Sequence, residues 1–105
     1  MTGFIQVMVT TETEEQARAI AHSLVGKKLA ACVQMVGSVE STYRWKGKVE
    51  SAREYLCLIK TRESLFPKVE AAIKALHSYE TPEIVTVPVV DGSKEYLRWL
   101  DESLS

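Results

Sequence analysis

The chain has 105 residues and a mass of 11.8 kDa, the size of one domain, so we predict a single domain spanning residues 1–105. Hydrophobic residues make up 46% of the chain and charged residues 26%, which indicates a folded core and excludes a disordered or fibrous protein. The 13 basic and 14 acidic residues leave a net charge of -1. That balance lacks the excess positive charge that nucleic-acid binding needs, so we expect no nucleic-acid partner.

The sequence also gives expectations about compartment and thiol chemistry. No apolar run approaches the roughly 18 residues of a membrane span, and the first 15 residues lack both the basic start and the apolar core of a signal peptide. We therefore expect a cytoplasmic protein with no membrane contact. Cys32 and Cys57 each lie among apolar residues, which favours two buried thiols over a disulfide.

The first third of the chain is typical of a strand followed by a helix. Residues 4–10 form a short β-rich run, and Thr11 with Glu14 has the spacing of a capping box at a helix start. Apolar residues then recur at helical spacing until Gly26, where two lysines follow the helix end.

A long hairpin is predicted next. Residues 30–45 alternate as a strand does, with Gly37 as a bulge or bend, and Lys46-Gly47 is the expected turn. The return strand covers about residues 48–61. At about 3.3 Å per residue such strands reach about 40 Å, well beyond the roughly 13 Å radius of gyration of a domain of this length. The hairpin should therefore project, exposing Tyr43, Trp45 and strand edges that a second copy of the chain would cover.

The remainder alternates helix, strand and helix. An amphipathic helix begins near Ser64 and ends in the HSYETPE segment at residues 77–83, and residues 84–90 form a strand whose Pro88 indicates a sheet edge. A final helix should place Tyr96, Leu97 and Leu100 inward. The order βαββαβ plus a C-terminal helix predicts an α+β, ferredoxin-like fold with an antiparallel sheet.

Few residues suggest chemistry by themselves, because the chain lacks Walker, GxGxxG, GxSxG, CxxC and HExxH motifs. His77 lies where a helix should end and is either a metal ligand or a group that stabilises the helix terminus. Lys60 is either an anion-binding point charge or a solvated strand end. Tyr43 and Trp45 suit interface packing or stacking on a ligand.

Four segments closely resemble the CutA divalent-cation-tolerance family, and the resemblance spans nearly the whole chain. They are ACV at 31–33, YRWKG at 43–47, KT at 60–61 and HSYETPEI at 77–84. The resemblance implies a ferredoxin-like fold in a homotrimer whose sheets continue between subunits. It also implies a role in tolerance of copper and other divalent cations.

The resemblance implies sites as well. In some members copper is assigned to positions that match Val9, Leu76 and His77, of which only His77 is a ligand type here. We therefore take His77 and Glu83 as candidate metal ligands, with Tyr79, Cys32 or another subunit completing the site. A cleft between subunits is lined by candidates carried over from the family: Tyr43, Trp45, Lys60, His77, Tyr79 and Glu83.

The leading hypothesis is a cytoplasmic trimer that binds a divalent metal, copper first, without catalysis. The alternative is a trimeric signalling module that binds a small molecule in the cleft between subunits, where Lys60, Glu83 and aromatic groups would suit an anion or zwitterion as well as a cation. We expect no enzymatic activity, since an acid-base pair of His77 and Glu83 would have to form across a predicted helix break.

Overall fold

A computed structural model describes residues 1–105 and gives the element order that the sequence predicts. The strands are β1 (Phe4–Thr11), β2 (Cys32–Trp45), β3 (Lys48–Arg62) and β4 (Ile84–Pro88), and the helices are α1 (Glu14–Gly26), α2 (Phe66–Leu76, after a 3-10 turn at Glu63–Leu65) and α3 (Lys94–Ser103). The α+β prediction, including the C-terminal helix, is therefore confirmed. None of these helices combines the length and the apolar character that a membrane span requires.

The sheet has the order β2-β3-β1-β4, and all its pairs are antiparallel. Directly opposed residues such as Val7 and Ile59 share a face, and α1 and α2 pack on that face. The side chains of this core are Ile5, Val7, Val9, Ala17, Ile20, Leu24, Ala30, Cys57, Ile59, Val69 and Ile73. The helix α3 packs at one end of the sheet, where Leu100 meets Phe4 and Leu65.

The start of α1 lies two residues beyond the predicted cap. The Thr13 hydroxyl accepts a hydrogen bond from the Gln16 amide at 3.1 Å, whereas Thr11 is buried at the end of β1 and donates its hydroxyl to the Thr13 carbonyl. The predicted capping box of Thr11 and Glu14 is therefore wrong, because the strand continues through Thr11. Glu14 instead pairs with Arg18 at 3.0 Å.

Gly37 forms the predicted bulge, and the bulge changes which β2 side chains face the helices. The pairing with β3 shifts between Val36 and Ser38, so two β2 residues occupy one step of the ladder. Before the bulge Met35 shares the helix-covered face, as its partner Cys57 does; after it, Tyr43 lies on the opposite face with Glu50. The apolar residues of β2 alternate without interruption in the sequence, but those after the bulge face the opposite side of the sheet from those before it.

The hairpin projects as expected, and the molecule measures 45 × 25 × 23 Å with a radius of gyration of 14.3 Å. Its Lys46-Gly47 turn has two positive φ angles, 51° and 81°, which fit a type I′ turn. The sheet face opposite α1 and α2, here called the open face, is covered by α3 only at the end that carries Phe4 and Arg62. Val36, Val85 and Val87 on this face are 41–46% exposed.

Two burial predictions need correction. Tyr96 is 42% exposed and stacks against Trp99 with ring centroids 5.6 Å apart, because the inward stripe of α3 runs through Leu97, Leu100 and Leu104 instead. Both cysteines are free, as predicted, but only Cys57 is fully buried, and burial raises the pKa of its thiol. Cys32 is half-buried at the start of an edge strand.

Candidate functional site

A cleft of about 710 Å³ lies between the projecting hairpin and the loop of residues 77–83 that joins α2 to β4. Its charged residues are all glutamates, and no lysine, arginine or histidine lines it. We call it the acidic cleft. The lining residues are Thr10, Ser41, Thr42, Tyr43, Trp45, Glu50, Glu54, Tyr79, Glu80, Thr81, Pro82 and Glu83.

The hairpin wall of the acidic cleft is set by strand register. Tyr43 lies opposite Glu50, and Glu54 lies four residues further along β3, so these side chains emerge on one face. Thr10 of β1 emerges on the same face because it lies opposite Leu56. The Gly37 bulge is what aligns the outer half of β2 with this face, which is the open face of the sheet.

Glu54 is the buried charge of the cleft. It is only 6% exposed, and its Oε2 accepts a hydrogen bond from the Tyr79 hydroxyl at 2.8 Å. No cation pairs with it, since the three ion pairs of the chain involve other residues. No buried side-chain oxygen lacks a partner, so the remaining Glu54 oxygen, Oε1, reaches the solvent of the cleft.

The Tyr79 hydroxyl keeps its proton and therefore keeps donating its hydrogen bond to Glu54. Burial raises the pKa of Tyr79, and the hydrogen bond to Glu54 and its negative charge raise it further, with smaller contributions from Glu12 and Tyr43. The phenol therefore stays protonated well above neutral pH. As a result Glu54 keeps one bonded oxygen and one free oxygen wherever its carboxylate is ionised.

His77 holds Tyr79 in place. Its Nε2 lies 2.7 Å from the Thr10 carbonyl oxygen, and its Nδ1 accepts the Tyr79 amide at 3.1 Å. A carbonyl can only accept, so the proton lies on Nε2. The two rings also pack together, with centroids 4.8 Å apart. Both nitrogens are thus engaged, and a metal ion at Nδ1 would have to displace the Tyr79 amide.

The structure brings together most of the residues that the sequence suggested. Tyr43, Trp45, Tyr79 and Glu83 line the acidic cleft, and His77 supports it from behind. No hydrogen bond joins His77 to Glu83, and no group of three or more His, Cys, Asp or Glu side chains is placed to hold a metal ion within the chain. Of the other two positions that the family resemblance suggested for copper, Val9 is buried in the core and Leu76 is an exposed leucine, and neither side chain can bind a metal.

Lys60 lies elsewhere. Its Nζ donates to Gln34 Oε1 at 2.8 Å, and six residues of β3, about 20 Å, separate it from Glu54. Glu50 and Glu54, which the sequence analysis missed, are the acidic residues of the hairpin wall. Glu50 and Glu54 are an even number of residues apart on β3, so they share one face. Once the bulge in β2 is included in the register, Tyr43 lies on that face too, and this is the signal that identifies them.

The family model for the CutA1 divalent ion tolerance protein matches residues 5–103. The chain belongs to this family. Among CutA relatives, the divalent-cation tolerance protein CutA of Thermus thermophilus is 48% identical over 97 residues, which cover 92% of this chain and 94% of that protein. The chloroplastic CutA of Arabidopsis thaliana is 44% identical over 94% of this chain but only 54% of its own length, so this chain spans about half of that relative.

The CutA fold is equally clear from solved structures. The solved structure of the periplasmic divalent cation tolerance protein CutA from Archaeoglobus fulgidus superposes with a TM-score of 0.94 at 40% identity. The superposition covers 97% of this chain and 99% of the other. The resemblance inferred from the sequence is therefore confirmed, and so is the fold.

Proposed function

We propose that this CutA-family chain is one subunit of a homotrimer that binds a small ligand in the acidic cleft, and that this binding is its contribution to divalent-cation tolerance. The observation that carries the proposal is Glu54, a buried carboxylate without a cation, whose free oxygen faces a cleft of about 710 Å³. That volume lies in the range of small-molecule sites. The proposal keeps the small-molecule ligand of the alternative hypothesis, which placed it between subunits, and assigns it to a cleft whose lining residues belong to one chain.

The acidic cleft can be tested by a thermal-shift screen of small amines, carboxylic acids, nucleotides and divalent metal chlorides. At least one class should raise Tm, because ligand binding to the folded state stabilises it. Glu54→Gln should abolish that shift, since it removes the buried charge while an amide oxygen can still accept from Tyr79. Glu70→Gln, on α2 across the sheet, is the matched control. No shift by any compound, or equal shifts in all three proteins, would contradict ligand binding in the cleft.

The proposal of a trimer is supported by the strand edges and the part of the sheet face that a single chain leaves uncovered. The edge strands β2 and β4 have no outer neighbour, and the open face exposes Val36, Val85 and Val87. Exposed apolar faces and free strand edges are normally covered. Because the two edges differ, pairing one with the other on the next subunit is a head-to-tail contact, the kind that builds a closed ring when three such rotations complete a full turn. The family resemblance favours three subunits.

Light scattering should give a mass about three times 11.8 kDa. Val87→Asp should reduce that mass, because it places a charge on the exposed face of an edge strand. Val25→Asp alters a similarly exposed valine on α1, 43% against 41%, and should keep the trimer. A monomer mass for the unaltered protein, or equal dissociation by both substitutions, would contradict the trimer.

Copper at His77 and Glu83 is the second candidate. The observation that favours it is that Glu83 lines the acidic cleft while His77 lies directly behind Tyr79 on the same loop. Copper accepts imidazole and carboxylate ligands. Binding there requires His77 to release the Tyr79 amide and requires further ligands from outside the chain, for which the neighbouring subunit is the proposed source.

Calorimetric titration of the trimer with copper tests this candidate. If His77 holds the metal, His77→Ala should weaken copper binding by about tenfold or more, as removal of a ligand does. His22→Ala, which removes the exposed histidine on α1, should leave it unchanged. Copper binding that neither substitution changes, or that both weaken equally, would remove copper from His77.

Three expectations from the sequence stay predictions: the absence of enzymatic activity, the absence of nucleic-acid and membrane partners, and a cytoplasmic location. The location is not uniform within the family, since one relative is named as chloroplastic and another as periplasmic. The proposed function requires none of them. It requires only that the ligand reaches the cleft.

A further inference from the structure

We propose that the ligand of the acidic cleft is a linear aliphatic polyamine, with one ammonium group at Glu54 and a second at Glu50. This inference rests on the proposed function, because it names the ligand class of the same site. It departs from the sequence analysis, which placed Lys60 in the cleft and so left an anion or zwitterion open.

The charge of the lining favours a cation. Four glutamates line the cleft and no basic side chain does, so an anionic ligand would bring like charges together without compensation. Two lysines at the hairpin tip are outside the lining: Lys46, whose ammonium lies 5.8 Å from the centroid of the Trp45 ring, and Lys48, which is opposite Trp45 in the strand register. Lys60 is held by Gln34 far along β3.

Glu54 provides the anchor. Its carboxylate is removed from bulk water, which is costly for a charge, and Tyr79 satisfies only one of its two oxygens. An ammonium at Oε1 would replace solvent at this oxygen with a charge-assisted hydrogen bond and would supply the missing counter-charge. Charge-assisted hydrogen bonds of this kind are about twice as strong as neutral ones. The geometry thus leaves one defined position for a cationic group.

The spacing of the carboxylates favours two linked cations over one metal ion. Glu50 and Glu54 are four residues apart on one strand, about 13 Å along the backbone, and no three acidic or other ligating side chains converge in the chain. A hard divalent cation needs its oxygen ligands within about 2.0–2.6 Å. Two ammonium groups joined by an alkyl chain can each meet one carboxylate.

Aromatic side chains of the acidic cleft suit the ammonium groups of such a ligand. Tyr43 and Trp45 line the cleft and are 40% and 38% exposed, on the same face as Glu50 and Glu54. Aromatic rings attract ammonium groups within about 6 Å and pack well against methylene groups. The Lys46 ammonium near Trp45 is an example of this pairing at the rim. Tyr43 lies opposite Glu50 and the Tyr79 hydroxyl bonds Glu54, so an aromatic side chain lies beside each of the two carboxylates, with Ser41 and Ala52 between them.

The test is calorimetric titration of the protein with spermidine, with propylamine, magnesium chloride and citrate as comparison ligands. Spermidine should bind about tenfold more tightly than propylamine, because only a polyamine reaches both carboxylates. Glu54→Gln and Glu50→Gln should each weaken spermidine binding by about tenfold or more. Glu70→Gln, which removes a charge on α2, should change it less than twofold.

Each other result overturns the inference. Magnesium that binds as tightly as spermidine would indicate a site for a point charge, and equal losses in all three variants would indicate diffuse surface attraction. If citrate bound in a way that depends on Glu54 and spermidine did not bind, the polyamine inference would be wrong, while the proposed ligand-binding function would stand. If none of these ligands bound and the thermal-shift screen were also negative, both the inference and the proposed function would fail.

Discussion

The acidic cleft depends on a hydrogen bond between residues 25 positions apart, from the Tyr79 hydroxyl to Glu54 at 2.8 Å. This bond joins the loop before β4 to the projecting hairpin. Behind it, His77 connects the same loop to β1 by donating to the Thr10 carbonyl and accepting the Tyr79 amide. A relay of hydrogen bonds therefore runs from the centre of the sheet to the buried carboxylate, and it fixes both walls of the cleft relative to each other.

A second constraint acts through the backbone of β2. Without the bulge at Gly37, Tyr43 and Trp45 would share the face of Met35, which α1 and α2 cover over the body of the sheet. The extra residue turns them to the open face, beside Glu50 and Glu54. The same open face carries the exposed valines and adjoins both free strand edges. Ligand site and proposed subunit contacts therefore share one face of the sheet.

Periodicity predicted the element order, the hairpin turn and the bulge, because each has a local signature in apolar spacing or in glycine. Periodicity failed where contacts between distant parts of the chain determine the position of a residue. The helix cap moved from Thr11 to Thr13 because β1 extends further in the sheet, and Lys60 fell outside the cleft because strand register places it about 20 Å from Glu54. Glu54 itself looks like an ordinary strand-surface residue, and only the distant Tyr79 reveals its role.

The claim that Tyr79 and Glu54 form the centre of the cleft is tested most directly by a pH titration of the tyrosine ring carbons, followed by NMR. A free tyrosine titrates near pH 10. Burial and Glu54 raise the pKa of Tyr79, so its stabilising contribution is complete below that pH and is lost only as the pH rises through the higher folded value. We expect the Tyr79 signal to remain that of a phenol at pH 10 and above, and Glu54→Gln to bring its titration down towards the ordinary value. Titration of Tyr79 near pH 10 in the unaltered protein, with no change on substitution, would contradict the account.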